Sequence, residues 1–335
     1  MLGAKCSIRP CHVLRSPGFD IGVVWEALFE KSFGCEKFWP LHADVDTVLS
    51  LPARDPGYTH LNRLNAAKAL AQVVKFIHEF TGAPVYIKSA RAGEEGVFNK
   101  IPSLLSAELY IEKEFATPAL KTEVQAFLNA LARKNPEDAK RSKIKILLEK
   151  PKGSENLAFG DSFTRALVEG ILQAPNGIVH TSPKYEHSIL TSSNLSFLNP
   201  GVDQTNTSIF NLGYFARGFE WSRMESTAAS INLGFSFSDV LPRSKIEVED
   251  KGHYDAWLEP ESSSLLQTVL SIDAFSKKYY LNGGLEPSAF REKIKGLEVV
   301  ALEPLIRHAH SVEEKMKKDS IEPVVRGVRA ILERL

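Results

Sequence analysis

Apolar residues return every three or four positions at Leu64, Ala67, Leu70, Val74 and Ile77, and the run stops at Gly82. That spacing puts them on one face of a helix, with glycine as its terminator. The same period predicts helices over 119–134, with Val124, Phe127, Leu128 and Leu131 inward, and over 159–173, stopped by the turn APNG. Further helices are expected over 225–233, 262–277 and 321–335. In the last of these, Val324, Val325, Val328, Ile331 and Leu332 form the stripe expected to be buried. Strands are predicted where β-rich or alternating runs lie between turn residues: HADVDTVLSL (42–51), APVYIKS (83–89) and LLSAELYI (104–111). HSILTSSNLSFL (187–198), TSIFNLGYFARGF (207–219), KIEVE (245–249) and VVALEP (299–304) read the same way. KIKILLEK (143–150) is a strand or a helix end, and PGFDIGVVWEALFEKSFG (17–34) reads as a strand turning into a short helix.

These elements make an α+β unit to about residue 243, then a short α/β unit entered through LPRSKIEVEDKG (241–252). The second unit, 244–335, is small for a domain with a core of its own. Residues 1–40 stay unassigned, and 41–243 form the first domain. No internal repeat or low-complexity tract interrupts this order.

Composition narrows the class. Lys+Arg and Asp+Glu both number 41, so the formal net charge is zero and nothing favours nucleic acid or anionic lipid as a partner. No apolar run approaches the ~20 residues of a membrane span, and residues 1–20 lack the apolar core of a signal peptide. A cytoplasmic protein is expected. The three cysteines, Cys6, Cys11 and Cys35, cluster near the start and match neither a disulfide framework nor a zinc spacing, despite His12 beside Cys11. They read as reduced thiols.

Three stretches carry candidate chemistry. His42 and Asp44 in HADVDTV form the His-x-Asp pair that can hold zinc, but an alternating edge strand gives the same pattern. Glu94 and Glu95 in GEEG could pair a metal ligand with a general base, yet paired glutamates more often sit on a solvated turn. HAHSVEEK (308–315) puts two histidines on an extended segment, where they face opposite sides. Ser311, Glu313 and Glu314 could cap the next helix, and by local chemistry alone the stretch is a loop.

The order of several motifs adds a resemblance. ALEPLIRHAHSVEEK resembles the closing zinc motif, GP-x4-PHS-x-[DE]-E, of the aminoacyl-histidine dipeptidases (peptidase D, or cytosolic non-specific dipeptidases), members of the dinuclear-zinc aminopeptidase/carboxypeptidase superfamily. His310, Ser311, Glu313 and Glu314 match; Glu303, Ala309 and Val312 depart. NGGLEPSAF (282–290) is similar to the family's HAGLECGLF loop, and KGHYDAW (251–257) to its GAYPGW. FNKIPS (98–103), QAPNGIVHTS, FARGFE and THLNRLNAAK (59–68) resemble segments of its lid. Each match is weak alone; their collinearity from about residue 50 to the C-terminus is the specific feature.

The resemblance implies an α+β lid/dimerisation domain followed by a partial α/β catalytic-domain remnant. It implies substrate contacts at Asn99, Arg217, Gly284 and His60, with Arg217 holding a peptide carboxylate. It makes His310 a vestigial zinc ligand. The family's other metal ligands and its Glu–Glu pair precede the lid, where this chain has only about 50 residues. HADVDTV and GEEG fall at lid positions, not at those motifs. The family's lid histidine that steadies the oxyanion is replaced by Arg54 of PARDPG, whose geometry and proton chemistry differ. The expectation is a shortened, catalytically inactive relative of a zinc-dependent Xaa-His dipeptidase, with no stably bound cofactor. Two other readings stay open. One is a non-catalytic regulatory subunit, pairing through the lid as a homodimer or with a full-length dipeptidase and gripping a peptide carboxylate. The other is an active zinc enzyme using His42, Asp44, Glu94, Glu95 and His310.

Overall fold

The computed structural model describes residues 19–26, 31–33, 38–46, 64–98, 101–102, 104–134, 143–148, 156–181, 189–202, 208–236, 245–250, 262–272, 287–307 and 315–335. Its centre is a nine-stranded sheet. Eight strands run in the order β11 (Lys245–Asp250), β1 (Phe19–Glu26), β10 (Ser208–Gly218), β9 (Ile189–Val202), β4 (Tyr86–Ala92), β5 (Leu104–Glu112), β3 (Phe38–Asp46) and β6 (Lys143–Leu148). The ninth, β8 (Gly177–Thr181), pairs with β9. The pairings are antiparallel.

Residues 19–26, expected as a strand running into a helix, are a strand paired on both sides, and Lys31–Phe33 is β2, paired with β7 (Asn156–Ala158). Ile21, Val23 and Val24 are β-branched, which suits a strand inside a sheet. KIKILL resolves as β6, a strand.

Helices α1 (Ala66–Thr81), α2 (Pro118–Arg133), α3 (Asp161–Gln173) and α4 (Trp221–Ser236) cover one face of the sheet. α1 starts at Asn65, whose side chain accepts from the Lys68 amide, and ends at Gly82 in the left-handed region. Its alanines bring it close to the sheet, and Leu70, Val73, Val74 and Ile77 are buried there. β5 shows the complementary alternation: Leu105, Ala107, Leu109 and Ile111 are buried, while Leu104 and Ser106 are exposed. Gly170 of α3 admits the Phe235 ring of α4, which would lie 2.4 Å from an added Cβ.

The C-terminal part is thinner. α5 (Ser264–Leu270) is capped by Ser263, and its first amides also donate to Glu298. α6 (Pro287–Lys293), the short pair β12 (Ile306–Arg307) and β13 (Lys315–Met316), and α7 (Ile321–Leu332) follow. Val269, Ile272 and Ile331 form a small core. The expectation that α7 buries its whole stripe fails: Ile331 is buried, but Val325 is 61% and Leu332 68% exposed. Val328 is exposed as well. VVALEP forms no strand, because no strand lies alongside it among the described residues. A strand is stable only with a partner for its backbone.

Candidate functional site

The polar centre of the molecule is a network of asparagines where α1 begins. Asn65 Nδ2 donates to Leu195 O at 2.8 Å, Asn194 Oδ1 at 3.1 Å and Asn176 Oδ1 at 3.2 Å. Asn176 Oδ1 also accepts from the Leu195 amide at 2.9 Å. Asn194 Nδ2 donates to Ser196 Oγ at 2.9 Å, and the Ser196 hydroxyl donates to Phe98 O. The network thus ties the first turn of α1, the APNG turn, strand β9 and the chain leading to Asn99. Buried amides that satisfy one another in this way hold their elements in one arrangement.

Arg217 lies on β10 directly opposite Ser192 of β9, and Phe215 lies opposite Asn194. Residues two apart on a strand share a face, so Arg217 and Phe215 sit beside Ser192 and Asn194. The half-buried Arg217 guanidinium stacks over the Phe215 ring, its Cζ 4.6 Å from the centroid. Stacking fixes the plane of the guanidinium, which suits a planar carboxylate. On neighbouring positions of β8 and β9, His180 Nδ1, Thr191 Oγ1 and Ser193 Oγ are buried, with no hydrogen-bond partner among the described residues. This end of the sheet is therefore unusually polar for a core.

Of the residues that the resemblance assigns to the site, Arg217 alone lies in a described segment; His60, Asn99, Gly284 and His310, with Arg54, lie outside them. The register sets Arg217 two positions from Phe215, which lies opposite Asn194 of the network that reaches Phe98. Four residues of the alternative ligand set, His42, Asp44, Glu94 and Glu95, lie in described segments. Asp44 pairs with Ser106, which pairs with Arg91, so His42 and Asp44 stand two strands from β4. Glu94 and Glu95 are exposed, and Glu95 reaches the other way, accepting from Asn211 of β10 at 3.2 Å. GEEG is a tight turn laid on β9: Gly93 has φ +72°, and an added Cβ would meet Ser196 O at 2.3 Å. Among the described residues, no three His, Cys, Asp or Glu side chains come together as a metal site.

The sequence reading missed Asn65, Asn176, Asn194 and Ser196. Their signals were present but local: Asn65 is an N-cap before an alanine-rich helix, and Asn176 stands in an Asn-Gly turn. Nothing in one-dimensional spacing says that Asn65 will meet Asn176 and Asn194, each more than a hundred residues away.

Comparison with known proteins gives a likeness of fold. The chain superposes on aminoacylhistidine dipeptidase from Vibrio alginolyticus with a TM-score of 0.68 and 16% sequence identity. The match covers 96% of this chain and 62% of that one. Aminopeptidase PepT from Bacillus cereus and a tripeptidase from Staphylococcus aureus match about half of the chain, each at 16% identity, with TM-scores of 0.38 and 0.41. No protein-family profile and no curated protein sequence matches. The α+β architecture with its antiparallel sheet is thus one found in a dipeptidase, and the chain spans less than two thirds of that dipeptidase's length. No described helix is long and apolar enough to cross a membrane.

Proposed function

We propose that this chain is a non-hydrolysing relative of the aminoacyl-histidine dipeptidases that retains their lid and binds a peptide carboxylate. The observation that carries this reading is the likeness of fold to the dipeptidase over 96% of the chain. The Arg217 guanidinium, aligned with Ser192, is the carboxylate grip, and by resemblance Asn99, Gly284 and His60 are further substrate contacts.

Among the described residues, no donor set for a dinuclear zinc centre comes together. Two zinc ions need several ligands each, whereas His310 is the sole residue that matches a zinc ligand of the family. Glu95, one of the substitutes, is turned to Asn211. No hydrolytic step is therefore assigned to this chain by itself.

The test is zinc content of the purified protein after dialysis without chelator, followed by Xaa-His dipeptide hydrolysis and binding. The expected result is no retained zinc, no hydrolysis, and dipeptide binding that weakens at least about tenfold in Arg217→Met, the loss of a charge-assisted pair. About two zincs per chain with hydrolysis would overturn the reading. A second reading, a regulatory subunit paired with a full-length dipeptidase, is favoured by the exposed Val325, Val328 and Leu332 stripe of α7. Co-purification with such an enzyme, lost when these residues become serine, is its test.

A further inference from the structure

The first turn of α1, the C-terminal end of α2 and the turn between α3 and β8 meet around a half-open cavity of about 160 Å³. Asn65, Lys68, Gln72, Lys134 and Asn176 are its polar walls, and Leu64 and Leu131 its apolar ones. A water in the liquid takes about 30 Å³, so the space holds a small polyatomic group.

Lys68 is out of place by local rules. It sits in the first turn of α1, where the helix dipole favours acidic residues, and that turn contains none. Its ammonium donates to Ala174 O at 3.2 Å. An ammonium has three donors, and among the described residues no carboxylate takes another. Burial pushes this lysine below its ordinary range, with no neighbouring acid offsetting it. The second cation, Lys134, caps α2 on the opposite wall.

Asn176 supplies an oriented neutral donor. Its Oδ1 accepts from the Leu195 amide, and a backbone N–H can only donate. The side-chain orientation is therefore fixed. Its Nδ2 is left without a protein acceptor among the described residues, on the cavity wall.

We propose that this cavity binds a small oxyanion, a phosphate or a carboxylate group, through the Lys68 and Lys134 ammoniums and the Asn176 Nδ2. The site is separate from Arg217 and does not depend on the peptide reading. A bound anion supplies the countercharge that the first turn of α1 lacks and accepts the spare donors of Lys68 and Asn176.

The experiment is a titration of the full chain followed by the Asn176 side-chain amide resonance. Sodium phosphate and sodium acetate are used separately, each against sodium chloride at equal ionic strength. A saturable shift with either anion is expected, and the tighter of the two names the source. Lys68→Met should weaken it roughly tenfold, as the loss of one charge-assisted hydrogen bond does. Absence of a saturable shift with both anions would overturn the proposal. So would a folded Lys68→Met protein that responds like the wild type, which would leave Lys68 as a cap on the α3 carbonyl alone. Should Lys68→Met not fold, Lys134→Met decides: its side chain is exposed, and unchanged affinity there overturns the two-lysine grip.

Discussion

α1 and α7 carry the same kind of apolar stripe, yet α1 buries Leu70, Val73, Val74 and Ile77 against the sheet while α7 leaves Val325, Val328 and Leu332 in water. The difference does not lie in the helices. α1 has a sheet and the flanking helices α2 and α3 around it; α7 has α5 and a few residues of the 298–306 stretch. Periodicity tells which face of a helix wants a partner, not whether one is there.

The comparison breaks most readily at Leu70. Leu70→Ala is expected to cost about 2–5 kcal/mol, the range for a fully buried leucine, whereas Val325→Ala should stay within about 0.5 kcal/mol. Urea unfolding of both variants measures this, and equal losses would show that α7 is as well packed as α1. Gly93→Ala comes next, at about 1–3 kcal/mol for the left-handed backbone alone, with the Ser196 carbonyl in the way besides. A midpoint unchanged from wild type would mean that the turn does not rest on β9. Asn65→Ala removes the cap of α1 and leaves its partners unmet, for about 1–2 kcal/mol. Amide exchange should accelerate in the first turn of α1 and at Leu195, and protection retained at both sites would refute the network's role.

The smallest effect concerns the C-terminal unit. The Ser264 hydroxyl, with the Leu265 and Ser264 amides, holds the Glu298 carboxyl below its ordinary range. The sign follows from linkage: a depressed carboxylate pKa makes the contact complete above the ordinary value and lost as pH falls through the lowered one. Acid titration of the Ser264 and Leu265 amide resonances should give a midpoint below that of a free glutamate. A midpoint at or above it would mean that Glu298 does not cap α5.

Much of the α+β order was legible because periods of 3.6 and 2 are written locally. The end of α1 follows from Gly82, and the inward face of α2 from the spacing of Val124, Leu128 and Leu131. The errors share a cause. VVALEP has strand composition but no partner strand among the described residues, and the 17–34 stretch reads partly as helix although β10 and β11 pair with Phe19–Glu26. For the site, Arg217 was reachable through motif order, while the asparagine network was not, since amides far apart in sequence give no periodic signal.

The sequence by itself determined which face of each helix is apolar, where α1 ends, and that GEEG is a turn. Those are consequences of backbone sterics and side-chain spacing over a few residues. Only the tertiary structure decided that Asn65, Asn176 and Asn194 converge, that Lys68 and Lys134 share a cavity, and that the α7 stripe stays exposed. Burial and hydrogen bonding depend on what is brought alongside, and that is set by sheet order and by which elements pack together.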